Sequence, residues 1–236
     1  MPQSTLSLFL IGDARVPAFA PLVILAFLGA TLGLVCASLG AAVSAAVHRF
    51  GLAKWLTIGA LVIAAGYAAL LFGAALFSRD RTLAPGERKY FCEMDCHIAY
   101  DVTSATAPDA TTRVVTVRSW FDPSTIAAFR GNGPLAPNPR TVWVEDEDGR
   151  RFPPSVAGTA AWEAAHGNPS APLSRQLRPG ESYTTTFVFT LPADARGPRL
   201  FVGDPVGPEA LLIGHENSPL HGKVYFALPA PQAAGQ

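Results

Sequence analysis

Seven consecutive residues, Phe91-Cys92-Glu93-Met94-Asp95-Cys96-His97, gather the side chains of this chain best suited to chemistry. Two thiols four apart close a tight disulfide if their Cα atoms come within about 7 Å, and thiols in an oxidising compartment pair by default. As thiolates, with His97 and a thioether from Met94, they would suit copper or zinc. His215 and His221 could complete such a set if the first and last strands of the domain lie side by side. A reactive dithiol would need a lowered thiol pKa, which the acidic Glu93 and Asp95 oppose. Covalent haem uses C-x-x-C-H with the adjacent histidine as axial ligand. Here the spacing is one residue longer, and the surroundings read as β-rich. The expectation is therefore a disulfide and no cofactor, with copper or zinc as the alternative and haem c disfavoured.

Other catalytic signatures are missing from the sequence: no G-x-S-x-G elbow, no H-E-x-x-H and no phosphate loop. Ser218, lying between His215 and His221, reads as a loop residue. Together these features point to a protein that is not an enzyme. The net charge of zero, with 15% charged residues, gives no sign of a nucleic-acid partner.

The elements that must position the cysteine segment begin with two apolar runs. Ala18 to Val47 contains no Asp, Glu, Lys or Arg, and neither does Trp55 to Ser78. A bilayer core needs about 20 apolar residues in a helix. The reading is an N-terminal segment (1–17) and a transmembrane helical hairpin (18–78, helices at about 21–47 and 54–78), with the lipid bilayer as first partner. The opening run is too long, and too poorly basic at its start, for a cleaved signal peptide. Gly29, Gly33, Ala37, Ala41 and Ala45 repeat every four residues, a stripe that would let a second helix or another subunit approach closely. No acidic or basic residue lies inside either run, which argues against transport. The short turn carrying His48, Arg49 and Lys54 suits the cytoplasmic side. This predicts a multi-pass cell (inner) membrane protein with its C-terminal domain extracytoplasmic or periplasmic.

After a linker (79–88), residues 89–229 show short runs rich in β-branched and aromatic residues between turn signals, ahead of a tail (230–236). The strands expected are Lys89–Cys92, His97–Ser104, Thr112–Phe121, Thr141–Glu145, Arg150–Phe152, Tyr183–Leu191, Arg199–Val202, Ala210–Ile213 and Lys223–Leu228, the pattern of an antiparallel sandwich. Ala157–His166 reads as a short helix before Gly167. The turn-rich loop 130–140 offers Arg130, Asn132, Pro134, Asn138 and Arg140 as docking residues on a rigid scaffold.

The pieces LAPGERKYFCEMDCHIAYDV, VVTVRSWFD and LRPGESYTTTFVFTLP, spread over residues 83–228, resemble telokin-like, immunoglobulin-like domains of bacterial envelope proteins. That resemblance implies a β-sandwich with an extracytoplasmic binding or scaffolding role, and it supplies no catalytic residues. Two helices before a β-domain, with cysteines four apart, also resemble cytochrome oxidase subunit II. However, Met94 stands between the cysteines, no histidine lies four beyond Cys96, and the motif opens the domain instead of closing it. A copper centre of that kind is not implied. The expected function is a membrane-anchored accessory or scaffolding subunit of an integral-membrane complex, respiratory or photosynthetic, docking other membrane subunits or a soluble extracytoplasmic protein.

Overall fold

The computed structural model describes residues 20–91, 97–126, 130–167 and 170–229. They form two compact units: residues 20–80 with 206–223, and residues 81–205 with 224–229.

The first unit is built on α1 (Ala20–Ala46) and α2 (Phe50–Phe77). Both are long and apolar enough to cross a membrane. A soluble core helix would be largely covered, but in the most apolar stretch of each helix only 0% and 11% is buried. Leucine, valine and phenylalanine side chains such as Leu25, Leu32, Leu39, Leu61, Val62 and Phe77 face outward. His48 makes the turn between the helices with φ 61°.

The inward side of α1 runs through Phe27, Ala30, Leu34, Ala37, Ala41 and Ser44, and that of α2 through Ala53, Leu56, Ala60, Ile63 and Tyr67. Both follow alternating steps of three and four, the repeat that keeps two helices in register. The expected stripe coincides with this side only in part. A step of four residues turns the helix by 400°, so a strict i, i+4 row drifts by about 40° each time. Gly33, Ala37 and Ala41 reach the partly covered side, whereas Gly29 and Ala45 are exposed. A Cβ on Gly33 would meet Ile63 Cδ1 at 3.3 Å, one on Gly40 would meet Leu56 Cδ1 at 3.2 Å, and one on Gly29 would meet nothing within 4 Å.

The second unit holds nine strands in two sheets. β2 (Lys89–Phe91), β3 (Ile98–Thr106), β4 (Thr112–Phe121) and β7 (Ser182–Thr190) form one, in that spatial order and antiparallel throughout. The other is ordered β1 (Arg81–Leu83), β9 (Val224–Ala227), β8 (Arg199–Gly203), β5 (Thr141–Glu145) and β6 (Arg151–Phe152). It is antiparallel except where β1 pairs parallel to β9. Alternation gives each strand one core face. Leu83, Phe226, Leu200 and Val144 lie across the five-stranded sheet, while Ile98, Tyr100, Val115, Val117 and Phe189 line the other, and both sets join one hydrophobic core.

α3 (Val156–His166) starts at Ser155, whose Oγ accepts from the Gly158 amide at 3.0 Å, and ends at Gly167 with φ 63°. These are the signals of a capped helix start and a left-handed stop.

Two expectations need correction. The stretch read as linker contains β1. Ala210–Ile213 is not a strand: Pro208–Leu211 form a 3-10 turn, followed by further turns, within the unit that contains the helices. Pro208 fixes φ and withholds an amide from any ladder, so the apolar side chains beside it follow a turn.

Candidate functional site

Of the seven-residue motif, Cys92, Met94 and Cys96 lie outside the described residues. His97 is buried just ahead of β3. Its ring stacks on Phe121 at the end of β4, with centroids 5.7 Å apart and planes 14° from parallel. Its Nδ1 lies 2.6 Å from Thr125 Oγ1. The Thr125 hydroxyl has one hydrogen, directed at the Asp122 carbonyl at 3.0 Å. With that hydrogen so directed, the threonine oxygen can accept from Nδ1.

Around this ring the ends of β2, β3 and β4 bring together a buried polar group that sequence reasoning missed. Asp122 caps the 3-10 turn Pro123–Thr125. It accepts from Tyr90 Oη at 2.7 Å, Ser124 N at 2.9 Å and Ser124 Oγ at 2.6 Å. Its amide donates to the His97 carbonyl at 2.9 Å. The serine proton goes to a carboxylate already engaged by a tyrosine, so the arrangement caps a turn and does not activate a nucleophile. Only the D-x-S spacing at Asp122 and Ser124 hinted at this cap in the sequence.

His215 and His221 belong to the unit that contains the helices, and His97 to the other. His215 Nδ1 accepts from the Asn217 amide at 3.1 Å, and His221 Nδ1 donates to the Gly222 carbonyl at 2.8 Å. Ser218 gives its hydroxyl hydrogen to the Leu212 carbonyl. Among the described residues no group of three His, Cys, Asp or Glu side chains could hold a metal. The described cysteine is Cys36, free and exposed on α1.

The loop 130–140 is pinned at its middle, where Leu135 and Leu177 exchange backbone hydrogen bonds of 2.9 and 3.0 Å. Arg130 lies 4.9 Å from the Phe121 ring centroid and donates to the Gly133 carbonyl at 2.9 Å. Asn132, Pro134 and Asn138 are exposed. Arg140 departs from the expected docking role. Its side chain is 1% exposed, pairs with Asp204 and packs 4.1 Å from the Phe91 ring centroid. A guanidinium so placed holds the domain together and is not offered to a partner.

A second feature missed in the sequence lies on the five-stranded sheet, on the face opposite the core. Cross-strand register aligns Trp143, Phe201 and Tyr225 in one row and Arg151, Glu145 and Arg199 in the next. Trp143 stacks on Phe201 at 4.0 Å. Arg199 lies 3.7 Å from the Tyr225 ring centroid, and Arg151 lies 4.8 Å from that of Trp143. The Glu145 side chain, 7% exposed, accepts from Tyr225 Oη at 2.7 Å, Arg151 Nε at 2.9 Å and Arg199 NH2 at 3.0 Å. Burial alone would raise its pKa, but those three hydrogen bonds and the Arg151 charge outweigh it, so the carboxyl is held below its usual range. Strand parity showed these residues alternating with core positions; which strands are neighbours was not in any one segment.

No family model and no curated protein matches the chain. Among solved structures it is similar to a conserved hypothetical protein from Bacillus anthracis, with 15% identity and a TM-score of 0.33 over 48% of this chain and 84% of that one.

Proposed function

We propose that this chain is a non-enzymatic, membrane-anchored scaffolding subunit. Its hairpin crosses the bilayer twice, and its extracytoplasmic domain, an immunoglobulin-like sandwich, docks a partner of an integral-membrane complex, respiratory or photosynthetic. One observation carries the reading: two uncovered helices of 27 and 28 residues whose outward side chains are apolar. At 1.5 Å per residue each is about 40 Å long, more than the roughly 30 Å hydrocarbon core. Water is a poor solvent for such surfaces and lipid a good one. The basic turn at Arg49 and Lys54 supports a cytoplasmic hairpin tip. Two sheets sharing one core support a sandwich, and the exposed Asn132, Pro134 and Asn138 on a pinned loop support docking.

The test is mild solubilisation of native membranes followed by co-purification. Recovery with a fixed set of membrane subunits is expected. A chain that is released by carbonate washing, or that always runs alone, overturns the reading.

A second reading, a copper or zinc site, has one observation in its favour: His97, the histidine of the cysteine motif, is buried at the head of β3. Stoichiometric metal in the purified chain would support it. Cys92 and Cys96 cross-linked in a metal-free chain would reject it.

A further inference from the structure

Residues 206–223 return from the β-rich unit to the helices, and their placement against α2 has a use. Tyr67 Oη donates to the Leu211 carbonyl at 2.7 Å. The Gly222 amide donates to Ser78 Oγ at 2.7 Å, and the Lys223 amide to Asp80 Oδ1 at 2.9 Å. Tyr67 precedes Phe77, the last residue of α2, by ten positions, so the segment reaches about 15 Å back along the helix. Counting about 20 residues from Trp55, beside the basic turn, ends the hydrocarbon core near Ala75. Tyr67 then lies about 12 Å inside that boundary.

Non-helical backbone survives at such a depth only if its polar groups are satisfied internally. This segment meets part of that demand, with Glu209 Oε2 buried and not hydrogen-bonded. Ala210, Leu212, His215, Ser218 and His221 each donate an amide hydrogen to the carbonyl three residues earlier. Ser218 Oγ donates to the Leu212 carbonyl, and Lys223 Nζ to the Glu216 carbonyl at 2.7 Å.

Three of its apolar side chains are exposed, while Leu212 and Ile213 are half-buried. Val206 is 84% exposed, Leu211 50% and Leu220 76%. Leu220 also has φ 63°, a conformation that a leucine rarely adopts.

We propose that residues 206–223 are a lipid-contacting segment that seats Leu211 within the hydrocarbon beside Tyr67 and Val206 and Leu220 in the bilayer interface. The proposal rests on the reading that the hairpin spans the bilayer, and its test separates the two.

The full-length chain is made with an environment-sensitive fluorescent amino acid at one of five positions: 206, 211, 220, 61 or 148. Leu61 is an outward α2 position and Asp148 an exposed β-turn position. Each form is reconstituted into phosphatidylcholine–phosphatidylglycerol vesicles carrying lipid-bound quenchers at shallow and deep positions. Expected are deep quenching at 61 and 211 and shallow quenching at 206 and 220, each at least threefold stronger than at 148. Quenching at the three segment positions below that threefold margin, while 61 is quenched, overturns the proposal and leaves the anchor reading standing. An unquenched 61 overturns the anchor reading and the proposal with it. Probes at 206 and 211 do not disturb the positive φ at 220, so a local misfold at Leu220 cannot decide the outcome.

Discussion

Replacing Glu145 by alanine tests whether the face opposite the core is held by its charge or merely decorated by it. The carboxylate bridges three strands, taking hydrogen bonds from Arg151 on β6, Arg199 on β8 and Tyr225 on β9. The Arg151 side chain is 53% exposed, so that pair contributes about 0.5 kcal/mol. Arg199 is 26% exposed and loses a charge-assisted bond of about 1.5 kcal/mol. The buried Tyr225 hydroxyl loses an acceptor at a cost of about 1 to 2 kcal/mol. The sum is roughly 3 to 4 kcal/mol, near the range for breaking a buried ionic group. For a domain of about 140 residues this lowers Tm by about 10 °C.

The assay is thermal unfolding of the detergent-solubilised full-length chain, followed by near-ultraviolet circular dichroism from Trp143 and its neighbours. Glu145→Gln keeps the shape and one acceptor, and should lose about half as much. Because the folded pKa lies below the unfolded value of about 4.3, the carboxylate's contribution is fully present above that value. It is lost as pH falls through the folded pKa. Wild type and Glu145→Gln should therefore differ at pH 6 and converge in strong acid. A loss under 1 kcal/mol for Glu145→Ala, or a wild-type–glutamine gap that does not shrink on acidification, would refute the reasoning.

Three further outcomes can be stated. Gly33→Leu should weaken the hairpin by about 1 to 3 kcal/mol through overpacking against Ile63, whereas Gly29→Leu should be silent; SDS-induced unfolding that shifts equally for both would count against the seam. Hydrogen bonds from the Thr112 side chain, the Thr111 amide and side chain and the Thr112 amide lower the Asp109 pKa to about 2. The stabilisation it gives should persist above pH 4 and disappear between about pH 4 and 2, so Asp109→Asn should flatten that part of the acid-unfolding curve. Leu220→Gly should raise intrinsic stability by about 0.5 to 1 kcal/mol, because relief of the left-handed penalty exceeds the added chain entropy, yet it should weaken vesicle binding of this segment; a variant that binds as well as wild type would deny the side chain its role.

The sequence made some of this fold readable and concealed the rest, for reasons visible at particular residues. Thr112–Phe121 and Thr141–Glu145 were bounded correctly because alternation over five or more residues leaves one pattern. Gly167 marked the end of α3, whereas the Ser155 cap sets its start at Val156, one residue before the expected Ala157. Arg81–Leu83 was lost because three residues carry no period, and its partner on β9 is remote in sequence. Ala210–Ile213 misled because a short apolar run fits a strand, a buried turn or a lipid-facing turn equally well. The small-residue stripe drifts around the helix, so Gly33, Ala37 and Ala41 face the partly covered side while Gly29 and Ala45 do not reach α2. Arg140 failed in another way. Composition marks an arginine in a turn-rich loop as solvated, and only the fold supplies Asp204 and the Phe91 ring to draw it inward.

The parallel pairing of β1 with β9 has a consequence for biogenesis. β1 leaves the ribosome first among the strands and waits for a neighbour encoded about 140 residues later, some 7 to 30 s at ordinary elongation rates. Throughout that interval its edge is open to mispairing. Nascent chains halted before Val224 should therefore be protease-sensitive at the five-stranded sheet and need a holding chaperone, while those in which β9 has emerged should be resistant.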